Sequence, residues 1–320
     1  MCQNAGDRVQ HGHGIVRKSS DEAPSLHRKS FMHRVINSAT EFRIFHVLAL
    51  VGCLAGSVVD TSAHEFWIEP DASQIEIGAG FSATLNIGQD LAGSTYSYLP
   101  QRFERFTVTS GGSTEPVESR VGDNPALQMS VDQPGLQIIA YQSKIEGLTY
   151  TSPEKFKQFL DYEGLDWVLE EHKRRGLPPE NFRENYSRFA KSLVQVGPYN
   201  SDAANEDRAV GLPIELVALN SPFEPARAQI DVQLLRSGQP LDNIQIATFQ
   251  RNSDGSVSRR LARSNADGIA EIEIRGDGFM LISAVQMEAI EPDQEPVAVN
   301  GRVPVWQSLW ASLSFQLDTD

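Results

Sequence analysis

The strongest constraint on this chain's fold is a recurring pattern of short segments in which apolar and polar residues alternate, each bounded by glycine or proline. Gln74-Ile75-Glu76-Ile77 and Ser82-Ala83-Thr84-Leu85-Asn86-Ile87 alternate in this way, with Gly78 and Gly80 between them. A period of two places one face of a strand in a core and the other toward solvent, which predicts a half-buried antiparallel hairpin. Phe103 to Thr109 runs into Ser110-Gly111-Gly112-Ser113, and Leu136 to Tyr141 follows Pro134-Gly135. Several short strands between glycine and proline turns imply a sandwich.

The period changes after residue 150. Ser152-Pro153-Glu154 supplies an N-cap, a proline at the first helical position and an acid in the first turn, and Gly164 can end that helix. A second helix is expected from about Asp166 to Arg175, with Lys173, Arg174 and Arg175 at its negative end. A third is expected after Pro178-Pro179, because Phe182, Tyr186, Phe189 and Leu193 recur at spacings of four, three and four. The chain is then expected to re-enter the first sheet system at Leu212 to Val217. Past the proline-punctuated Asn220 to Pro225, strands resume around Ile230, Val232 and Leu234, around Ile244 and Ile246, and around Ile272 and Ile274. Asp254-Gly255 and Asp267-Gly268 supply the turns, and Trp306 to Phe315 is a closing aromatic strand. The expected fold is therefore mainly β. It has a sandwich over 64–219 with a helical insertion at 152–193, and a second, immunoglobulin- or transthyretin-like sandwich over 220–320.

The N-terminal part reads as a processing segment. An apolar run from Ile44 to Val59 follows Arg28, Lys29, Arg34 and Arg43, and Thr61-Ser62-Ala63 offers the small residues that signal peptidase requires. At about 16 positions the run falls short of the roughly 20 apolar residues of a spanning helix. We therefore expect a signal peptide over 1–63 with an extended polar start, Met32 as an internal initiation point, and a mature chain that begins at His64 without a transmembrane segment. In the competing reading, Leu50-Val51-Gly52-Cys53 is a lipobox and Cys53 carries a lipid. Either way the product is exported, to the periplasm or cell envelope. Both cysteines, Cys2 and Cys53, precede His64, so the expected mature chain has no thiol chemistry.

The whole chain carries a net charge of −14, and removing 1–63 takes away seven basic and five acidic residues, leaving −16. Such a surface repels nucleic acid and anionic lipid. The sequence has no phosphate loop, dinucleotide fingerprint, nucleophile elbow or zinc-protease helix motif. Only His64 and His172 remain of seven histidines, too few for a three-histidine zinc site, and no enzyme is expected. A copper monooxygenase using a histidine brace would need His172 as its second ligand. That histidine sits at a helix end, where a structural role is expected, and Phe66, Trp67, Trp306 and Trp310 are expected in cores.

His64 is the sharpest chemical feature. As the first residue of a processed chain, it would present an α-amine and an imidazole nitrogen to one metal ion, a donor set that suits Ni²⁺, Co²⁺ or Cu²⁺. Glu65, Glu69 and Asp71 are the candidate oxygen ligands beside it. Copper is expected to bind most tightly in vitro.

Four stretches together resemble a known family. They are His64-Glu65-Phe66-Trp67-Ile68-Glu69-Pro70, Lys191 to Gly197, Gly211 to Val217, and Trp310 to Phe315. In order and across 64–320, they resemble a domain-of-unknown-function family often labelled as the periplasmic component of a cobalt- or nickel-type ABC transport system. The resemblance implies a periplasmic protein for transition-metal uptake, with His64 as a ligand and a membrane metal transporter as partner. Gln286 stands where relatives often carry a histidine. The alternative is a structural or adhesive β-domain protein of the envelope in which His64 is incidental.

Overall fold

A computed structural model of the chain describes residues 64–202, 205–291 and 296–317. The signal-peptide reading of 1–63, with Met32 and Cys53, lies outside them. Eighteen strands are described. The first nine are β1 (Glu65–Pro70), β2 (Gln74–Ile75), β3 (Gly80–Gln89), β4 (Ala92–Tyr96), β5 (Phe103–Ser110), β6 (Ser113–Pro116), β7 (Leu127–Ser130), β8 (Gly135–Ser143) and β9 (Glu146–Tyr150). Two helices follow, α1 (Pro153–Glu163) and α2 (Asp166–Arg174). The rest are β10 (Phe182–Val196), β11 (Ile214–Ala218), β12 (Gln229–Arg236), β13 (Gln239–Pro240), β14 (Gln245–Arg251), β15 (Val257–Arg263), β16 (Ile269–Glu273), β17 (Gly278–Ala289) and β18 (Trp306–Leu317).

The strands form three sheets. The central one has ten strands in the order β15-β14-β17-β18-β10-β8-β5-β6, with β2 and β9 also paired to β10. One outer sheet is β1-β3-β4 with β7 on β3, and the other is β11-β12-β13 with β16 on β12. The alternation of side chains explains why both outer sheets can pack on the central one. Ile139, Tyr141, Ala190 and Val194 face the β1 sheet and bury Phe66, Ile68, Phe81 and Leu85. Their neighbours Ile138, Ala140, Phe189 and Leu193 face the other way, onto Ile214, Leu216, Ile230 and Val232. The two sandwiches thus share their middle layer, and β18 joins them by pairing antiparallel with β17 and parallel with β10.

Several expected strands fall where the pattern placed them, but their partners differ. The expected hairpin of 74–77 with 82–87 does not form, because β2 pairs with β10 while β3 pairs with β1, β4 and β7. The strand at 214–218 does not return to the first sandwich. It pairs with β12, across the expected boundary at 219/220.

Both expected helices form, and α1 carries its expected caps. Ser152 accepts from the Lys155 amide, and Gly164 closes α1 at φ 68°, a left-handed conformation that costs a glycine little. The expected third helix is corrected: the stripe from Phe182 to Leu193 belongs to β10, so the helical insertion ends at Arg174. A spacing of four keeps two residues on one face of a helix or of a strand, so the pairs 182/186 and 189/193 do not distinguish the two. Only the step of three from Tyr186 to Phe189 does, and in the strand it crosses the sheet. Phe182 and Tyr186 pack under the helices, whereas Phe189 and Leu193 enter the opposite core. The helices cover one end of the central sheet, where Phe156, Leu160 and Val168 bury Tyr150, Phe182, Trp306 and Trp310.

Candidate functional site

The feature expected to carry chemistry, His64, immediately precedes β1. His64 lines a cavity of about 590 Å³ together with Glu65, Tyr162, Glu163 and Arg259. Three elements build it. Strand β1 presents Glu65, the last turn of α1 presents Tyr162 and Glu163, and edge strand β15 presents Arg259. The end of α1 is tied to the sheet because the Tyr162 carbonyl accepts from Gln245 Nε2 at 2.9 Å and from an Arg259 guanidinium nitrogen at 2.8 Å. The same guanidinium lies 3.9 Å from the centre of the Tyr162 ring, and the Tyr162 hydroxyl donates to Asp90 Oδ1 at 3.0 Å.

Two carboxyl groups in this wall are nearly sealed from water, Glu65 at 4% exposure and Glu163 at 8%. Burial disfavours the charged form. It pushes Glu65 up to about 7, with Asp90 adding to the rise, while a backbone hydrogen bond and the charge of Arg259 oppose it. Burial likewise pushes Glu163 up to about 8, with Glu65 raising it further and Arg259 opposing. Near neutral pH the pair holds a proton that ordinary carboxylates would have released. The cavity is therefore a place where a proton and a cation would compete.

Of the expected oxygen ligands, the structure places only Glu65 beside His64. Glu69 is on the same face of β1 but forms an ion pair with Arg251 and accepts from Trp67 Nε1 at 2.8 Å. Asp71 accepts from the Ser82 amide and hydroxyl, both at 2.9 Å. Neither Glu69 nor Asp71 lines the cavity, and Gln286 lies elsewhere, on β17. Among the described residues, no three His, Cys, Asp or Glu side chains converge closely enough to hold a metal ion.

His172 has the structural role expected of it. Trp306 Nε1 donates to its Nδ1 at 3.0 Å and its Nε2 lies 2.9 Å from the Pro178 carbonyl, with Phe182 and Trp306 against the ring. Phe66, Trp67, Trp306 and Trp310 are all core residues. The contributions of Tyr162, Glu163 and Arg259 were not legible in the sequence, since they come together only through the docking of α1 between β1 and β15.

Two further polar clusters hold the layers together. Lys191 is fully buried, with Nζ 2.8 Å from Asp207, 3.2 Å from Glu215 and 3.0 Å from the Arg208 carbonyl. Glu215 in turn accepts from the amides of Val210, Gly211 and Leu212. This network joins the Lys191 to Gly197 stretch to the Gly211 to Val217 stretch. The second cluster is Glu184, fully buried, which accepts from Tyr150 at 2.9 Å and from Ser308.

The fold and its polar clusters define a class, a mainly β, multi-sheet scaffold with a small helical cap. The chain matches the family described as Domain of unknown function (DUF4198) over residues 61–288, and it belongs to that family. No curated protein matches it. Among solved structures it is similar to a tetra-tandem repeat in the extending region of a large adhesion protein, at 13% identity and a TM-score of 0.20, covering 80% of this chain and 50% of that one. This chain thus spans about half the length of that structure. It is also similar to the D0-D1 domain of intimin, at 11% identity and a TM-score of 0.20, covering 78% of this chain and 97% of that one. A third is the three N-terminal domains of the bacteriophage RB49 highly immunogenic outer capsid protein, at 9% identity and a TM-score of 0.18, covering 80% and 71%.

Proposed function

We propose that this protein is a non-enzymatic β-scaffold exported to the cell envelope, acting as a structural or adhesive module. The observation that supports this is what its paired charged groups join. Lys191, Asp207 and Glu215 bind a loop to the central sheet, Glu184 joins β9, β10 and β18, and Glu69 joins β1 to β14 through Arg251. These groups act on the scaffold itself, whereas a catalytic site would direct such groups at a substrate.

A second reading, transition-metal capture for nickel or cobalt uptake through a membrane transporter, is favoured by a specific observation. His64 and Glu65 border the same cavity as Glu163. Released behind Ala63, His64 would offer an amine and an imidazole to Ni²⁺, Co²⁺ or Cu²⁺, with Glu65 as the oxygen donor at hand.

One experiment separates the readings: calorimetric titration of Ni²⁺ and Cu²⁺ into the processed protein, its His64→Ala variant, and a form with one extra residue before His64. The extra residue keeps the imidazole but turns the amine into an amide. The scaffold reading expects all three forms to behave alike. Metal capture expects binding by the first form alone, with copper tightest and affinity falling below about pH 6.5 as the imidazole protonates.

A further inference from the structure

The second chemical feature lies at the far end of β10, in a cleft of about 520 Å³ lined by Thr149, Arg183 and Arg302 and by the apolar Pro178, Phe182 and Val305. Arg183 and Thr149 face each other across β9 and β10. Each arginine donates to the Thr149 hydroxyl, Arg183 at 3.4 Å and Arg302 at 3.3 Å. Two guanidinium groups therefore sit within about 7 Å of each other around one oxygen.

Among the described residues, neither arginine forms an ion pair with a carboxylate. Arg183 is only 8% exposed, and its Nε is buried without a hydrogen-bond partner. Holding two like charges this close with no anion beside them is unfavourable, and one oxyanion placed between them would relieve that repulsion. Gly147 makes the arrangement possible. A Cβ there would come within 2.1 Å of the Arg183 guanidinium, so the glycine gives that group the room it occupies against β9. The net charge of −14 does not forbid an anion, because charges beyond about 8 Å are screened at physiological salt.

We propose that this cleft binds the oxyanion of a small organic ligand, a carboxylate or phosphate carried on an apolar body. Paired guanidinium forks match the two oxygens of such a group, and Phe182, Pro178 and Val305 offer a surface for the body. The test is calorimetric titration of the intact protein with benzoate, phenyl phosphate and the neutral benzamide. Saturable binding of benzoate or phenyl phosphate is expected, and which of them binds identifies the oxyanion. Benzamide should bind far more weakly. Arg302 is exposed, so Arg302→Gln should keep the native melting temperature while weakening the anion about ten- to a hundredfold. Arg302→Lys should fall between the two. Failure of both anions to saturate up to about 10 mM, benzamide binding as tightly as benzoate, or undiminished binding by Arg302→Gln would each overturn the proposal.

Discussion

Lys191 shows what a single residue does in this molecule. Its ammonium is fully buried yet meets two carboxylates and a carbonyl, so all three of its donors have partners. Removing it would take from Asp207 and Glu215 the cation that pairs with both in the interior. Lys191→Met should therefore cost about 3–5 kcal/mol in urea denaturation, although methionine fills much of the same volume. A loss under about 1 kcal/mol would mean that the carboxylates find other partners. Glu184 makes a different prediction. Burial pushes its carboxyl up to about 7, against hydrogen bonds from Ser308 and Tyr150 and the charge of Arg188, which oppose the rise. Between about pH 4.5 and 7 the folded chain keeps a proton that the unfolded chain has released. This contribution to stability is complete below about 4.5 and disappears as pH rises through 7. Urea midpoints at pH 5 and pH 8 should show the native protein losing more stability than Glu184→Gln, which cannot ionise. Equal losses would show that Glu184 ionises in the fold as it does in water.

At the scale of the element, β10 marks where sequence reasoning succeeds and where it fails. Strands with one polar face, such as β12 with Ile230, Val232 and Leu234 inward, were legible because solvent enforces alternation. Strand β10 is covered on both faces, so solvent imposes no alternation on it, and its interior carries Arg183, Glu184, Arg188 and Lys191 for specific partners. Its apolar residues then imitate a helical stripe. The helices were legible because end signals, the Ser152 and Gly164 caps of α1 and the basic last turn of α2, are local chemistry, whereas the cavity beside His64 depends on long-range docking that no local pattern encodes. His64 and Glu65 could be picked from the sequence; Glu163 and Arg259 could not. Phe189→Ala tests the corrected assignment. Phe189 is 3% exposed in the core between the central sheet and β11-β12, so its loss should cost about 3–5 kcal/mol. It should speed amide exchange in β11 and β12 and leave α1 unaffected. Faster exchange confined to α1 and α2 would restore the helical stripe.

For the whole molecule, the consequence of the shared middle layer is cooperativity. The β1 sheet and the β11-β12 sheet are separate hydrogen-bonded systems, yet each is buried against the same ten strands, and β18 lies between β17 and β10 at their junction. Neither outer sheet can lose its support without exposing the core of the other. The measurement that bears most directly on this account is native-state hydrogen exchange, followed by mass spectrometry in rising sub-denaturing urea. Amides of β3 in one outer sheet and β12 in the other should converge on a single opening free energy with the same urea dependence as those of β10 and β18. If β12 and β16 instead open at markedly lower free energy while β3, β8 and β10 stay protected, the chain consists of two independent sandwiches and the shared sheet does not couple them.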